Sequence, residues 1–151
     1  MGSDSRIIER EHIMKRTAKA HWSGNLKEGL GTLTTESGVL NGSKYSFKTR
    51  FEEGEKGTNP EELLAAAHAG CFTMAVASFL TKKGVSPRSL DTEATVTMDG
   101  GVITEVHLTI TGSVPGMNAE AFAAVVKEAE MECPISKALS VPVSSEAHLT
   151  A

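Results

Sequence analysis

The chain reads as an α+β protein, and three observations predict that class. Two segments alternate apolar and polar residues around turn signals, Asn41-Gly42 and Asp99-Gly100-Gly101, as hairpins do. A long run from Asn59, "NPEELLAAAHAGCFTMAVASFLTKK", is helical by spacing and nearly free of polar residues past its first turn. A third stretch, "NAEAFAAVVKEAEME", has one apolar face at helical period. The order is three strands, a helix, two strands, two helices and a strand, with strands and helices segregated rather than alternating.

Each element has a local reason. "TAKAHW" alternates, and "GLGTLTTESGVL" is rich in threonine and β-branched residues. "KYSFKTRF" alternates too, with Tyr45, Phe47 and Thr49 on one side and Lys44, Ser46, Lys48 and Arg50 on the other, which predicts a third strand with Arg50 on a solvated face. "EEGEKGT" is a polar loop. Asn59 is placed to cap a helix, Pro60 suits its first position, and Glu61 and Glu62 match the positive end of its dipole. That helix is predicted to run to about Lys83, where Lys82, Lys83 and Gly84 form a stop signal. Glu61, Leu64, His68, Phe72, Ala75 and Phe79 make one stripe. Ala66, Ala69, Gly70, Thr73 and Ala77 make a small-residue face opposite, so the helix is expected to be covered on most sides. "SLDTEATVTMDGGVITEVHLTITGSV" is the second hairpin. Asn118 caps the amphipathic helix, with Ala121, Phe122, Val125, Val126 and Ala129 inward. "CPISKALS" is a short helix with Cys133 at its cap and Pro134 at its first position, and "VPVSSEAHLT" closes with a strand.

The length of 151 residues predicts one domain with a core burying roughly 68–70% of the unfolded surface. With 15 Lys and Arg against 19 Asp and Glu, the formal charge is -4. That mild acidity gives no footprint for nucleic acid or an anionic membrane. The apolar run is interrupted by His68 and dominated by alanine, so no membrane span is expected. "MGSDSRIIEREHI" is charged throughout, without the apolar stretch of a secretory signal. Residues 1–14 are expected to be a flexible leader ahead of the domain at 15–151, and the location cytoplasmic.

Cys71 and Cys133 lie far apart in sequence and match neither a zinc-finger spacing nor a C-x-x-C pair. In an oxidising compartment they would be one disulfide worth roughly 4 kcal/mol. In the cytoplasm the options are two buried free thiols or a pair that cycles. Cysteine chemistry needs the thiolate. Cys133 sits at a helix N-terminus, which favours a negative sulfur. Cys71 lies well inside its helix, where the dipole has faded and burial opposes charge. It could ionise beside a cation, because a charge pair at about 4 Å is worth about 4 kcal/mol at an effective dielectric of 20. Arginine suits such a site, since it stays charged when buried. The residues alone thus favour Cys133 as the lower-pKa thiol and leave Cys71 needing a partner, and free cysteine is most often a small buried hydrophobe. His68 is best read as a core or interface histidine with a satisfied hydrogen bond. A metal site from His68, Cys71 and Cys133 lacks a fourth ligand at recognisable spacing.

Three stretches, "AHWSGNLKEGLGTLTTESGVLN", "FKTRFEEGEKGTNPEELLAAAHAGCFTMA" and "VPGM…ECPISKAL", closely resemble the osmotically inducible protein C family. The organic hydroperoxide resistance proteins are its sister group. The resemblance runs from about Lys15 to the C-terminus. It implies a thiol-dependent peroxidase that reduces organic hydroperoxides, and hydrogen peroxide less readily, without metal, haem or flavin. By motif, Cys71 in "HAGCF" would be the peroxidatic cysteine and Cys133 in "ECPIS" the resolving one. Arg50 in "KTRFE" and Glu61 in "NPEE" would complete the site. The family implies an intertwined homodimer with a mixed sheet around buried helices, and a dithiol reductant, a lipoyl-bearing protein in the sister group. Leu64, Phe72, Met74 and Phe79, with Trp22 or Tyr45, would form an apolar wall for the substrate. Two alternatives stay open: a hydrolase or reductase on the same fold, and a non-catalytic dimer that binds a hydrophobic ligand or senses redox state.

Overall fold

A computed structural model describes residues 13–150; most of the expected leader, residues 1–12, lies outside them. The chain divides into two compact units, the first ending at Asn59 and the second beginning at Pro60.

The first unit is an antiparallel sheet of β1 (Ala18–Ser23), β2 (Leu30–Thr35) and β3 (Ser43–Tyr45), in that order. The β2–β3 connection is longer than a two-residue hairpin. The Thr35 N–H donates to Leu40 O, and the Gly42 N–H donates to the Thr34 hydroxyl. Gly42 has φ +62, as the Asn-Gly signal required. Trp22 and Tyr45 meet edge to face, 5.6 Å between centroids.

The third strand stops early. Instead of continuing through Arg50, the chain forms helix α1 (Phe47–Phe51) behind a capping box, in which Ser46 and Thr49 each bond the other's backbone N–H. Such a box satisfies two otherwise orphaned donors. Alternation hid this, because Phe47 and Phe51 are four residues apart, an even number that is also close to one helical turn. As a helix pair their rings pack at 4.9 Å rather than lining a strand.

The second unit begins with α2 (Pro60–Lys82). The hairpin of β4 (Ser89–Asp99) and β5 (Val102–Ser113) follows, then α3 (Ala119–Glu132), α4 (Pro134–Ala138) and β6 (Val143–Thr150). The sheet order is β4-β5-β6, with β4 antiparallel and β6 parallel to β5, so the sheet is mixed, as expected. Gly100 and Gly101, at φ +60 and +79, make the tight turn that the strands' twist favours.

One face of this sheet is the core. Val106, Leu108 and Ile110 point inward from β5 and are fully buried. Helix α2 covers β4, and α3 covers β6. The buried stripe of α2 is His68, Phe72, Val76 and Leu80, which follows the i+4 ridge and replaces Ala75 and Phe79 of the expected stripe. From α3 the buried residues are Phe122, Val125, Val126, Ala129 and Glu130; Ala121 is exposed instead. Glu130 tolerates its place because the Ser145 hydroxyl donates to it at 2.6 Å and Lys127 Nζ lies 3.1 Å away. The outer face is polar. His107 and His148 both bond Glu146, at 2.9 and 2.8 Å, and these bonds, His107's first, hold its carboxyl below the usual carboxylate range.

Gly112 lets α3 approach the sheet. A Cβ there would lie 2.6 Å from Phe122 Cζ. Gly112→Ala is therefore expected to destabilise the protein by about 1–3 kcal/mol through overpacking, read as a lower urea midpoint at unchanged slope.

By length and composition the 23 residues of α2, with a mean hydropathy of 1.7 in the best window, are apolar enough to cross a membrane, a test that the core helix of a soluble protein also passes. One expectation about α2 needs correction: the helix is not covered on most sides within the chain. Ala66, Ala67, Gly70, Met74 and Ser78 are exposed, Met74 at 75%, because the sheet and α3 reach only one stripe.

Candidate functional site

The two thiols, remote in sequence, are brought together by α2 and α4. Cys71 lies three residues after His68 on α2, one turn further along the same side. Cys133 sits where α3 ends and α4 begins. Its N–H closes α3 by donating to Ala129 O at 2.9 Å, and it is also the N-cap residue of α4. Packing of α4 on α2 then sets the Cys133 thiol beside that of Cys71. Both cysteines are free; Cys133 is fully buried and Cys71 half-buried.

The surroundings act on Cys71 in opposed directions. Burial pushes its thiol pKa up, the Ile135 N–H pulls it down, and hydrogen bonding and charge interaction with Cys133 push it up again. The net direction is upward, as the sequence expected of burial. For Cys133 the expected helix-terminus field is opposed. The residue caps α4, of only five residues, but it also stands at the negative end of α3, of fourteen. The sequence argument that favoured Cys133 saw only the first of these ends.

The same contact holds a second pair. His68, fully buried, places Nε2 2.7 Å from the Ser136 hydroxyl, the satisfied hydrogen bond expected of it. Its Nδ1 has no hydrogen-bond partner among the described residues. Burial lowers its pKa, so the ring is kept neutral. Sequence reading passed over Ser136 and the Ile135 N–H; the available signal was the matching spacing of His68 to Cys71 and Cys133 to Ser136.

The other expected site residues fall elsewhere. Glu61 is in the first turn of α2 and half-buried. Ten residues of helix separate it from Cys71, about 15 Å of rise. Arg50 belongs to α1 of the first unit, exposed, with its guanidinium 5.2 Å from the centre of the Phe51 ring. Phe72 lies wholly in the core and lines no open wall; Leu64 and Phe79 are half-buried and Met74 exposed. Among the described residues, no group of three or more His, Cys, Asp or Glu is arranged to hold a metal ion.

A mixed-sheet α+β unit with two reduced thiols facing each other belongs among candidate dithiol redox proteins. Comparison with known proteins narrows the class, and the chain belongs to the OsmC-like protein family, whose model matches residues 53–146. It is 46% identical over 138 residues to Peroxiredoxin OsmC of Escherichia coli (strain K12), spanning 89% of this chain and 96% of that protein. It is 36% identical over 98 residues to the organic hydroperoxide resistance protein OhrA of Bacillus subtilis, spanning 60% of this chain and 66% of that one. Among solved structures, an organic hydroperoxide resistance protein OsmC from Legionella pneumophila shares the fold. The TM-score is 0.65 at 24% identity, covering 92% of this chain and 98% of that one. OhrB of Bacillus subtilis matches at a TM-score of 0.59 and 25% identity, over 89% and 98% of the two chains.

Proposed function

We propose that this protein is a thiol-dependent peroxidase that reduces organic hydroperoxides to alcohols through Cys71 and Cys133. The observation that carries the reading is the placement of two free thiols side by side at the α2–α4 contact, in a chain closely related to a peroxiredoxin. The Cys71 thiolate attacks the O–O bond of the hydroperoxide, which breaks. The distal oxygen stays on sulfur as a sulfenic acid, and the other leaves as the alcohol, taking up a proton. The Cys133 thiol then displaces that oxygen as water, and a disulfide forms. An external dithiol, such as a lipoyl group, returns both thiols by exchange and leaves oxidised itself.

Burial opposes the thiolate, so the reading needs a cation, and Arg50 is the one we assign. Its guanidinium would stabilise both the thiolate and the charge developing on the leaving oxygen, with Glu61 orienting it. One guanidinium can hardly bridge the helical rise between Glu61 and Cys71. We therefore place the active site in a homodimer, where two antiparallel copies of α2 bring Glu61 of one toward Cys71 of the other. The exposed Ala66, Gly70 and Met74 surface of α2 supports close packing of this kind. The reaction uses cytoplasmic reductants, and we assign the protein to that compartment.

The test is consumption of cumene hydroperoxide with dihydrolipoamide as reductant. Cys133→Ser is expected to complete a first turnover at nearly the wild-type rate and to lose at least roughly tenfold in steady-state turnover, as the sulfenic acid waits for external thiol. If Cys133→Ser fails in the first turnover while Cys71→Ser does not, the two roles are reversed.

A further inference from the structure

Resolution of a sulfenic acid poses a geometric problem. An S–S bond is about 2.05 Å long and joins residues whose Cα atoms lie roughly 4.4–6.8 Å apart. The short helix bearing Cys133 must therefore stay seated on α2 after Cys71 has been oxidised. Across the contact of α2 and α4, His68 bonds Ser136 at 2.7 Å, while the Ile135 N–H and the Cys133 thiol act on the Cys71 sulfur. Interactions that end on that sulfur do not keep their reduced form once it carries an oxygen. The His68–Ser136 bond contains no redox atom.

We infer that the His68–Ser136 hydrogen bond is a positioning device for the proposed dithiol reaction, holding α4 against α2 while Cys133 condenses with the sulfenic acid. The inference rests on the assignment of Cys71 and Cys133 above. The spacing supports it. His68 precedes Cys71 by three residues on α2, and Ser136 follows Cys133 by three on α4, so the bond runs beside the thiol pair one turn away along both helices. The distance is 2.7 Å, with His68 fully buried and Ser136 half-buried at the other end. The other ring nitrogen, Nδ1, has no hydrogen-bond partner among the described residues, so Ser136 is the ring's hydrogen-bond partner among them.

Ser136→Ala removes the bond without altering either sulfur, and Ser136→Thr restores the hydroxyl. Cys71 oxidation is followed by rapid mixing with cumene hydroperoxide, disulfide formation by peptide mapping of quenched samples, and sulfenic acid by trapping with a 1,3-dione. The expected result for Ser136→Ala is oxidation of Cys71 within about twofold of wild type, disulfide formation slowed roughly three- to tenfold, and a matching rise in trapped sulfenic acid. Ser136→Thr is expected to return both to wild type. A Ser136→Ala protein that forms the disulfide at the wild-type rate overturns the inference, and so does one slowed equally in both steps. If the wild-type protein itself forms no Cys71–Cys133 disulfide, the underlying assignment fails and the inference with it.

Discussion

Replacing Cys71 with serine is expected to abolish hydroperoxide reduction, in the first turnover as well as in steady state. The reason is chemical rather than structural. A thiolate carries a soft, polarisable electron pair that attacks the O–O bond and leaves sulfur oxidised, whereas a serine hydroxyl stays protonated at neutral pH and does not accept the oxygen. Loss of a covalent nucleophile removes the pathway and not one interaction along it, so the fall should be on the order of 10³-fold or more. The fold should tolerate the change, because Cys71 is half-buried at the edge of the core and serine is close in volume. An unchanged urea midpoint alongside lost activity separates the two effects. If Cys71→Ser retains a substantial rate, the buried thiol is only a packing residue.

The second large effect is expected at Arg50. Burial and the neighbouring thiol push the Cys71 pKa upward, so without a cation less of the sulfur is ionised at neutral pH. Arg50→Ala is expected to lower the first-turnover rate by roughly 10²-fold, the scale of losing one preorganised electrostatic contact. It should also move the rising limb of the pH–rate profile to higher pH. The sign follows from the charge: removing a positive neighbour destabilises the thiolate, so ionisation requires more alkaline solution. Arg50→Lys should recover only part of the loss, because an ammonium lacks the planar fork that can hold a carboxylate and a sulfur together. A profile that keeps its position while the rate falls would assign Arg50 to substrate binding and leave the thiolate to another cause.

How much of this was legible in the sequence differs by element. The β4–β5 hairpin was clear because two independent signals agreed, strict alternation and the Asp-Gly-Gly turn. The start of α2 was equally clear from its proline and first-turn acids. Helix α1 was misread because Phe47 and Phe51 satisfy a strand period and a helix period alike, and only the Ser46–Thr49 box separates them. Glu130 was passed over because a carboxylate is placed outside by default. Its burial depends on Ser145, a partner fifteen positions away that no local pattern reveals. The site divides in the same way. That Cys71 sits in an apolar helix and that burial raises its pKa could be read locally. That Cys133 and Ser136 come to rest beside Cys71 and His68 is a product of tertiary packing, which residue types in order do not encode. Family resemblance supplied the assignment of roles, while the local dipole argument, which weighed only the α4 end at Cys133, favoured the other cysteine.

The most direct measurement uses reduced protein freed of external thiol and mixed with one equivalent of cumene hydroperoxide. The account predicts about one cumyl alcohol per chain, loss of both free thiols, and a peptide linking Cys71 to Cys133. Alcohol formed with both thiols intact, or no alcohol at all, would contradict it.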